Sequence, residues 1–195
     1  MENTTKGEKT VEFLSFLKEC ITNPRTVGAV LPSSKYLARK MTASIDFDKA
    51  EYVAEYGPGT GVFTEHLLSK RKKDTVVLLF ETNDDFYEVL KKKYRHKTDF
   101  YLINDSAEQL EKYMMELDIP RLDYIVSGLP FASLPQQVSS NILAVTQKQL
   151  RQGGAFITFQ YTLLKKDFIT RYFPNIEIAK EVRNVPPAYV FSCRV

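Results

Sequence analysis

The residues best suited to chemistry stand together in Glu55-Tyr56-Gly57-Pro58-Gly59-Thr60-Gly61-Val62-Phe63-Thr64. Three glycines at alternate positions separate an apolar run from an amphipathic one, which places them where a strand ends and a helix opens. Without Cβ atoms the backbone can turn tightly and lie against a ligand, while the first helical N–H groups point at it. Acidic residues recur after the next two apolar runs, Glu81 after Thr75–Phe80 and Asp105 after Phe100–Ile103. A carboxylate after the second strand suits a ribose diol, as in dinucleotide-binding folds. Asp105 could accept from an adenine amino group. The loop is not the G-x-G-x-x-G of dinucleotide proteins, and no G-x-x-x-x-G-K-[ST] for nucleoside triphosphates occurs.

Positioning these groups requires a sheet with helices between its strands. The sequence predicts strands at Tyr52–Tyr56, Thr75–Phe80, Phe100–Ile103, Asp123–Ser127 and Ala155–Gln160. Helices are expected at Val62–Ser69, Asp84–Arg95, Ala107–Glu116 and Gln136–Arg151. The strands are apolar on consecutive positions, as parallel strands covered on both faces must be. Alternation of strand and helix means α/β. The end differs: Ile176–Val182 alternates, Pro186 and Pro187 interrupt, and Tyr189–Val195 resumes, which reads as an antiparallel hairpin closing the sheet edge. Residues 1–50 form an N-terminal helical extension, with helices near Val11–Thr22 and Ser33–Thr42. Residues 51–195 form the ligand-binding catalytic unit, and the whole is one domain.

Composition bounds the rest. At 195 residues with net charge +3, 44% hydrophobic and 26% charged, the chain has enough apolar material for a core and is not disordered. Cys20 and Cys193 cannot build a disulfide framework and lack the spacing of a metal site, so reduced thiols in a cytoplasm are expected and no metal is. No apolar run approaches the roughly 18 residues of a membrane span, and the polar N-terminus does not read as a signal peptide. The basic runs Lys70–Lys73 and Lys91–Lys93 read as solvated helix ends.

The pattern E-x-G-x-G-x-G, followed by Glu81 and Asp105, resembles the class I S-adenosylmethionine-dependent methyltransferases over residues 51–195. That resemblance implies a Rossmann-like, mostly parallel seven-stranded sheet with an antiparallel last strand and helices on both faces. It implies Glu55, Gly57, Gly59 and Gly61 at the methionine part of the cofactor, Glu81 on the ribose, and Asp105 and Ser106 near adenine. Ser127-Gly128-Leu129-Pro130-Phe131 follows the fourth strand, where the reacting methyl should sit, and adds Ser127 to the cofactor set. It is similar to the N-[LI]-P-[FY] loop of rRNA and DNA adenine N6-methyltransferases, in which an Asn or Asp carbonyl holds the exocyclic amine. Here that position is Gly128. Those rRNA enzymes also carry a C-terminal helical domain that grips RNA, whereas this sequence ends in the expected hairpin.

Phe13-Leu14-Ser15-Phe16-Leu17, Asn23-Pro24-Arg25-Thr26-Val27-Gly28-Ala29-Val30-Leu31-Pro32-Ser33-Ser34 and Asn184-Val185-Pro186-Pro187-Ala188 resemble small bacterial phospholipid N-methyltransferases. Members of that family methylate phosphatidylethanolamine. The resemblance implies a phospholipid acceptor, and it folds the Pro32-Ser33-Ser34 turn over the cofactor. Ser33 and Ser34 also suit a helix N-cap. The apolar face of Val11–Thr22 is wider than one core contact requires, which suits an anionic membrane surface at the inner face of the membrane, a sheet-capping helix or a dimer contact. Tyr161, after the fifth strand, and Phe131 are the candidate catalytic side chains, through proton acceptance by Tyr161 and the π faces of both rings. His66 and His96 read as surface residues. Three readings stay open: a lipid N-methyltransferase, an rRNA adenine or small-molecule methyltransferase, and a cofactor-binding protein without catalysis.

Overall fold

The computed structural model describes residues 35–195. The helix expected at Val11–Thr22, Cys20 and Ser33 lie outside the described residues. In chain order the elements are α1 (Lys35–Met41), β1 (Tyr52–Tyr56), α2 (Val62–Lys70), β2 (Val76–Phe80), α3 (Asp84–Tyr94), β3 (Phe100–Ile103), α4 (Leu110–Glu116), β4 (Leu122–Ser127), α5 (Gln136–Gln149), β5 (Leu150–Gln160), α6 (Lys166–Thr170), β6 (Asn175–Glu181) and β7 (Ala188–Arg194). One 3₁₀ turn, Ala107–Gln109, precedes α4.

The seven strands form one sheet in the order β3-β2-β1-β4-β5-β7-β6. The first five are parallel, and β7 runs antiparallel to both β5 and β6. Every residue of β4 is buried, which is why its middle, Tyr124–Val126, reads as an apolar run. By contrast β6 is exposed along most of its length, as an edge strand is. The hairpin expectation therefore holds for the pairing, but the later strand is the inner one. Apolar Val190, Phe191 and Cys193 are buried beside β5, while the more polar β6 takes the edge.

Two apolar cores lie on the two faces of the sheet. One packs α4, α5 and α6 around Phe131, Phe156 and Phe173, and the other packs α1 and α2 around Val53, Phe63 and Val190. In α1, Leu37, Ala38 and Met41 are buried in the second core, so the described part of the N-terminal extension is built into the fold. Burying side chains of this size stabilises by about 1.5–3 kcal/mol each.

The largest departures from the expected boundaries lie at α5 and β5, and the helix expected from Ala107 opens as the 3₁₀ turn before α4. Helix α5 stops at Gln149 and β5 begins at Leu150, five residues early, because Leu122 captures Leu150 in the ladder and a bulge across residues 151–154 shifts the register to the Tyr124–Ala155 pair. Sequence periodicity does not reveal such a bulge. Asp123 anchors the same corner by accepting from the N–H groups of Glu51 and Tyr52, both at 2.8 Å, and by pairing with Arg151.

Candidate functional site

At the carboxyl edge of the sheet, the loop after β1 is held between the exits of its neighbours. Gly57 N–H donates to Phe80 O at 2.9 Å, and Gly128 N–H donates to Tyr56 O at 2.8 Å. This brings the β4 exit so close that a Cβ on Gly128 would lie 2.7 Å from the Gly57 carbonyl oxygen. Any side chain there must displace backbone. At Gly59, with φ +54°, an added Cβ meets nothing within 4 Å. The glycine there faces open space.

That space is a cavity of about 210 Å³. Gly57, Gly59, Glu81, Asp105 and Ser106 line its polar side, while Leu129, Pro130, Val138 and Ile142 are among the apolar groups opposite. Glu81 braces the loop: its Oε2 accepts from Gly59 N–H at 3.0 Å and its Oε1 from Asn83 N–H at 2.9 Å. Burial raises its pKa against the pull of those donors. Each carboxylate oxygen has acceptor capacity left for a diol. Asp105 accepts from Ser106 N–H at 2.7 Å and from the Tyr113 hydroxyl at 3.0 Å, which fixes its orientation at the rim. Ser106 Oγ accepts from Glu108 N–H at 3.2 Å and so caps the 3₁₀ turn.

Glu55 is placed differently. It is fully buried and does not line the cavity. Among the described residues neither of its oxygens, nor the adjacent buried Thr64 Oγ1, has a hydrogen-bond partner of good geometry. Burial, with a smaller contribution from the charge of Glu81, raises its pKa to about 8, and Thr64 offsets this only in part. A buried carboxyl met only by Thr64 carries an unmet demand that a cationic group satisfies. An orphaned acid behind a bare glycine loop, and a ribose-sized set of acceptors in front of it, fit S-adenosylmethionine.

Several expected site residues lie elsewhere. Ser127 is buried, and its Oγ accepts from Leu129 N–H at 3.2 Å, so it shapes the turn and is off the cavity wall. Gly61 is also off the wall, where a Cβ would come within 3.0 Å of Leu90 and Tyr94. Phe131, expected to show its ring to a substrate amine, is fully buried, with its ring edge-on to Phe156 at 6.0 Å. The Pro130 turn rotates it into the core. Tyr161 is half-buried against Phe159 and hydrogen-bonds Asn184. Burial raises its phenol pKa above the ordinary value against the Asn184 hydrogen bond, so at neutral pH it keeps its proton and does not accept another. His66 shares a 2.8 Å hydrogen bond with Thr42 and ties α2 to the end of α1, and His96 is exposed beside Arg95. No group of three metal-ligating side chains occurs among the described residues. Cavity residues not anticipated include Thr82, Phe86, Leu134, Val138 and Ile142. The i, i+4 spacing of the last two, on one face of α5, was the available signal.

The comparisons agree with this geometry. The family model described as ribosomal RNA adenine dimethylase matches residues 22–175, well over half of the chain. An ornithine lipid N-methyltransferase from Singulisphaera acidiphila is 28% identical over 94% of this chain and 96% of its own length. A ribosomal RNA small subunit methyltransferase A from a Hydrogenobaculum species is 31% identical over 55% of this chain but only 38% of its own length. In fold, the chain is similar to a T. thermophilus 16S rRNA N2 methyltransferase solved in complex with AdoMet and guanosine. The TM-score is 0.64 at 17% identity, over 88% of this chain and 45% of that one. The β1 glycine loop, the acids after β2 and β3 and the L-P-F turn after β4 all fall inside the matched span, and the chain belongs to the ribosomal RNA adenine dimethylase family, as a class I S-adenosylmethionine-dependent methyltransferase.

Proposed function

We propose that this methyltransferase acts on the amine of a membrane lipid headgroup, phosphatidylethanolamine or a related amine-bearing lipid. The observation that carries this reading is Gly128. An adenine-directed site needs an amide or carboxyl side chain at the β4 exit, and the Gly57 carbonyl at 2.7 Å leaves no room for one. A flexible lipid amine can be positioned without a planar grip on a base. The near full-length likeness to an ornithine lipid N-methyltransferase supports the same class of acceptor.

When bound, S-adenosylmethionine supplies a methyl group activated on a sulfonium. Glu81 would hold the ribose, Asp105 and Ser106 the adenine end, and the Gly57 and Gly59 backbone the amino-acid end, with Glu55 a buried charge behind the loop. Leu129 and Pro130 exclude water on the side where the methyl is expected, so a neutral amine attacks in line from a positioned, desolvated state. The headgroup ammonium first releases a proton to solvent to expose its lone pair, and the methylated ammonium sheds one in the same way before any second transfer.

Transfer of radiolabelled methyl groups to total lipid, total RNA and a metabolite extract, run in parallel, tests the reading. Label in phosphatidylethanolamine or another aminolipid is expected. Label confined to RNA would return the chain to the rRNA activity, and label confined to the extract would make it a small-molecule enzyme.

A further inference from the structure

Nine large apolar side chains are exposed among the described residues, and four of them lie at one corner: Leu163 at 45%, Leu164 at 75%, Val182 at 64% and Val185 at 74%. They belong to segments 161–166 and 182–187, which are far apart in sequence but adjacent in the sheet. Gln160 of β5 pairs with Tyr189 of β7, and Tyr189 pairs in turn with Lys180 of β6. The β5 exit and the β6–β7 turn therefore leave the sheet side by side, and the hydrogen bond between Tyr161 and Asn184 joins them. This is the carboxyl edge of the parallel strands, the edge that carries Gly57–Gly61, Glu81 and Asp105.

The turn holds its valines outward. Glu181, 2% exposed, accepts from the Arg183 N–H and Nε at 2.9 Å and from its Nη2 at 3.1 Å. Asn184 Nδ2 donates to Pro186 O at 2.7 Å. The Arg183 guanidinium lies 4.4 Å from the centre of the Tyr36 ring, itself 43% exposed, so the patch continues onto the start of α1. The two segments carry Lys165, Lys166 and Arg183; Arg183 is paired with the buried Glu181, and the exposed Asp167 follows Lys166. Aliphatic prongs beside the Lys165–Lys166 pair match the chemistry of an anionic bilayer, with an apolar layer beneath phosphates. A second copy seated face to face would oppose these cations to the same cations.

We propose that this corner docks on an anionic membrane surface. Leu163, Leu164, Val182 and Val185 enter the headgroup–acyl boundary, and Lys165 and Lys166 meet lipid phosphates, so the headgroup amine reaches the carboxyl edge of the sheet from the bilayer. This rests on the lipid-acceptor reading above.

The test uses the full chain with mixed phosphatidylethanolamine–phosphatidylglycerol vesicles. Leu164→Ser with Val185→Ser, and separately Lys165→Glu with Lys166→Glu, should each weaken vesicle binding by about tenfold or more. Methylation of vesicle lipid should fall in step. Methylation of a monomeric short-chain phosphatidylethanolamine should stay at the wild-type level, and thermal melts should show that both variants fold. Wild-type binding by both variants would overturn the proposal, and so would a variant that only changes the oligomer seen in sedimentation velocity, since the occupant would then be a second copy. The two readings fail separately. A wild type that binds vesicles through this corner yet methylates no lipid sinks the acceptor assignment alone, and lipid methylation with unaffected binding by both variants sinks the docking alone.

Discussion

Replacing Glu55 by glutamine separates the charge of this residue from its shape, and the consequence is measurable in protons. In the free protein burial holds its pKa at about 8. At about pH 6.5 the carboxyl is therefore nearly fully protonated, and a cationic ligand that requires the carboxylate must expel about one proton per site. The α-amino group of the cofactor, with an ordinary pKa of about 8, is already charged there and contributes little. Titration calorimetry in buffers of different ionisation enthalpy should read the release directly, and near pH 9 it should give way to net uptake, because Glu55 is then about nine-tenths ionised while the amino group must regain its proton. Glu55→Gln should bind with no release and with affinity lower by about tenfold, about 1.4 kcal/mol, since the buried carboxylate acts on the ligand's charge across the loop and not by direct contact. The same group shapes stability in the free enzyme. Between its ordinary value of 4.5 and about 8 the unfolded chain has released the proton while the folded chain retains it. Unfolding free energy must then fall as pH rises through that window, by up to about 1.4 kcal/mol per pH unit. Glu55→Gln should flatten that slope. Absence of proton release from folded wild type at pH 6.5, or equal release from the glutamine variant, would refute the account of Glu55 as a neutral acid that becomes the counter-ion.

Three further outcomes follow from the loop geometry. Gly128→Ala should lower stability by about 1–3 kcal/mol in urea denaturation, because its methyl group meets backbone that must move, and an unchanged midpoint would mean the β4 exit relaxes freely. Gly59→Val should still fold, at a cost of about 1–3 kcal/mol for a β-branched residue at φ +54°, but should bind no cofactor by calorimetry, since its side chain fills open space that the ligand needs. Glu81→Ala should cost about tenfold to a hundredfold in cofactor affinity, or about 1.5–3 kcal/mol, and should also leave Gly59 N–H without its acceptor. A loss below about threefold would place the ribose elsewhere.

The sheet and the cofactor side of the site were legible because their determinants are local. Parallel strands buried on both faces are mostly apolar, so β1, β2 and β4 announce themselves despite Glu55 and Asp123, and a ligand at the carboxyl edge must be met by the residues just beyond each strand, which points to Gly57, Gly59, Glu81 and Asp105. What depended on partners distant in sequence was not legible. Phe131 turned inward because the Pro130 turn directs it at Phe156, and β7 lies inside β6 because its buried face matches β5. Glu55 is left nearly unpartnered because the fold brings only Thr64 to it. Gly128 reads in the sequence as a missing asparagine. Only the approach of the Gly57 carbonyl shows that the position is closed to any side chain. Leu164 and Val185, twenty-one positions apart, likewise meet on one corner only through the β5–β7–β6 ladder. Side-chain direction and neighbourhood are set by register across strands, and register is a property of the assembled sheet, not of any one segment.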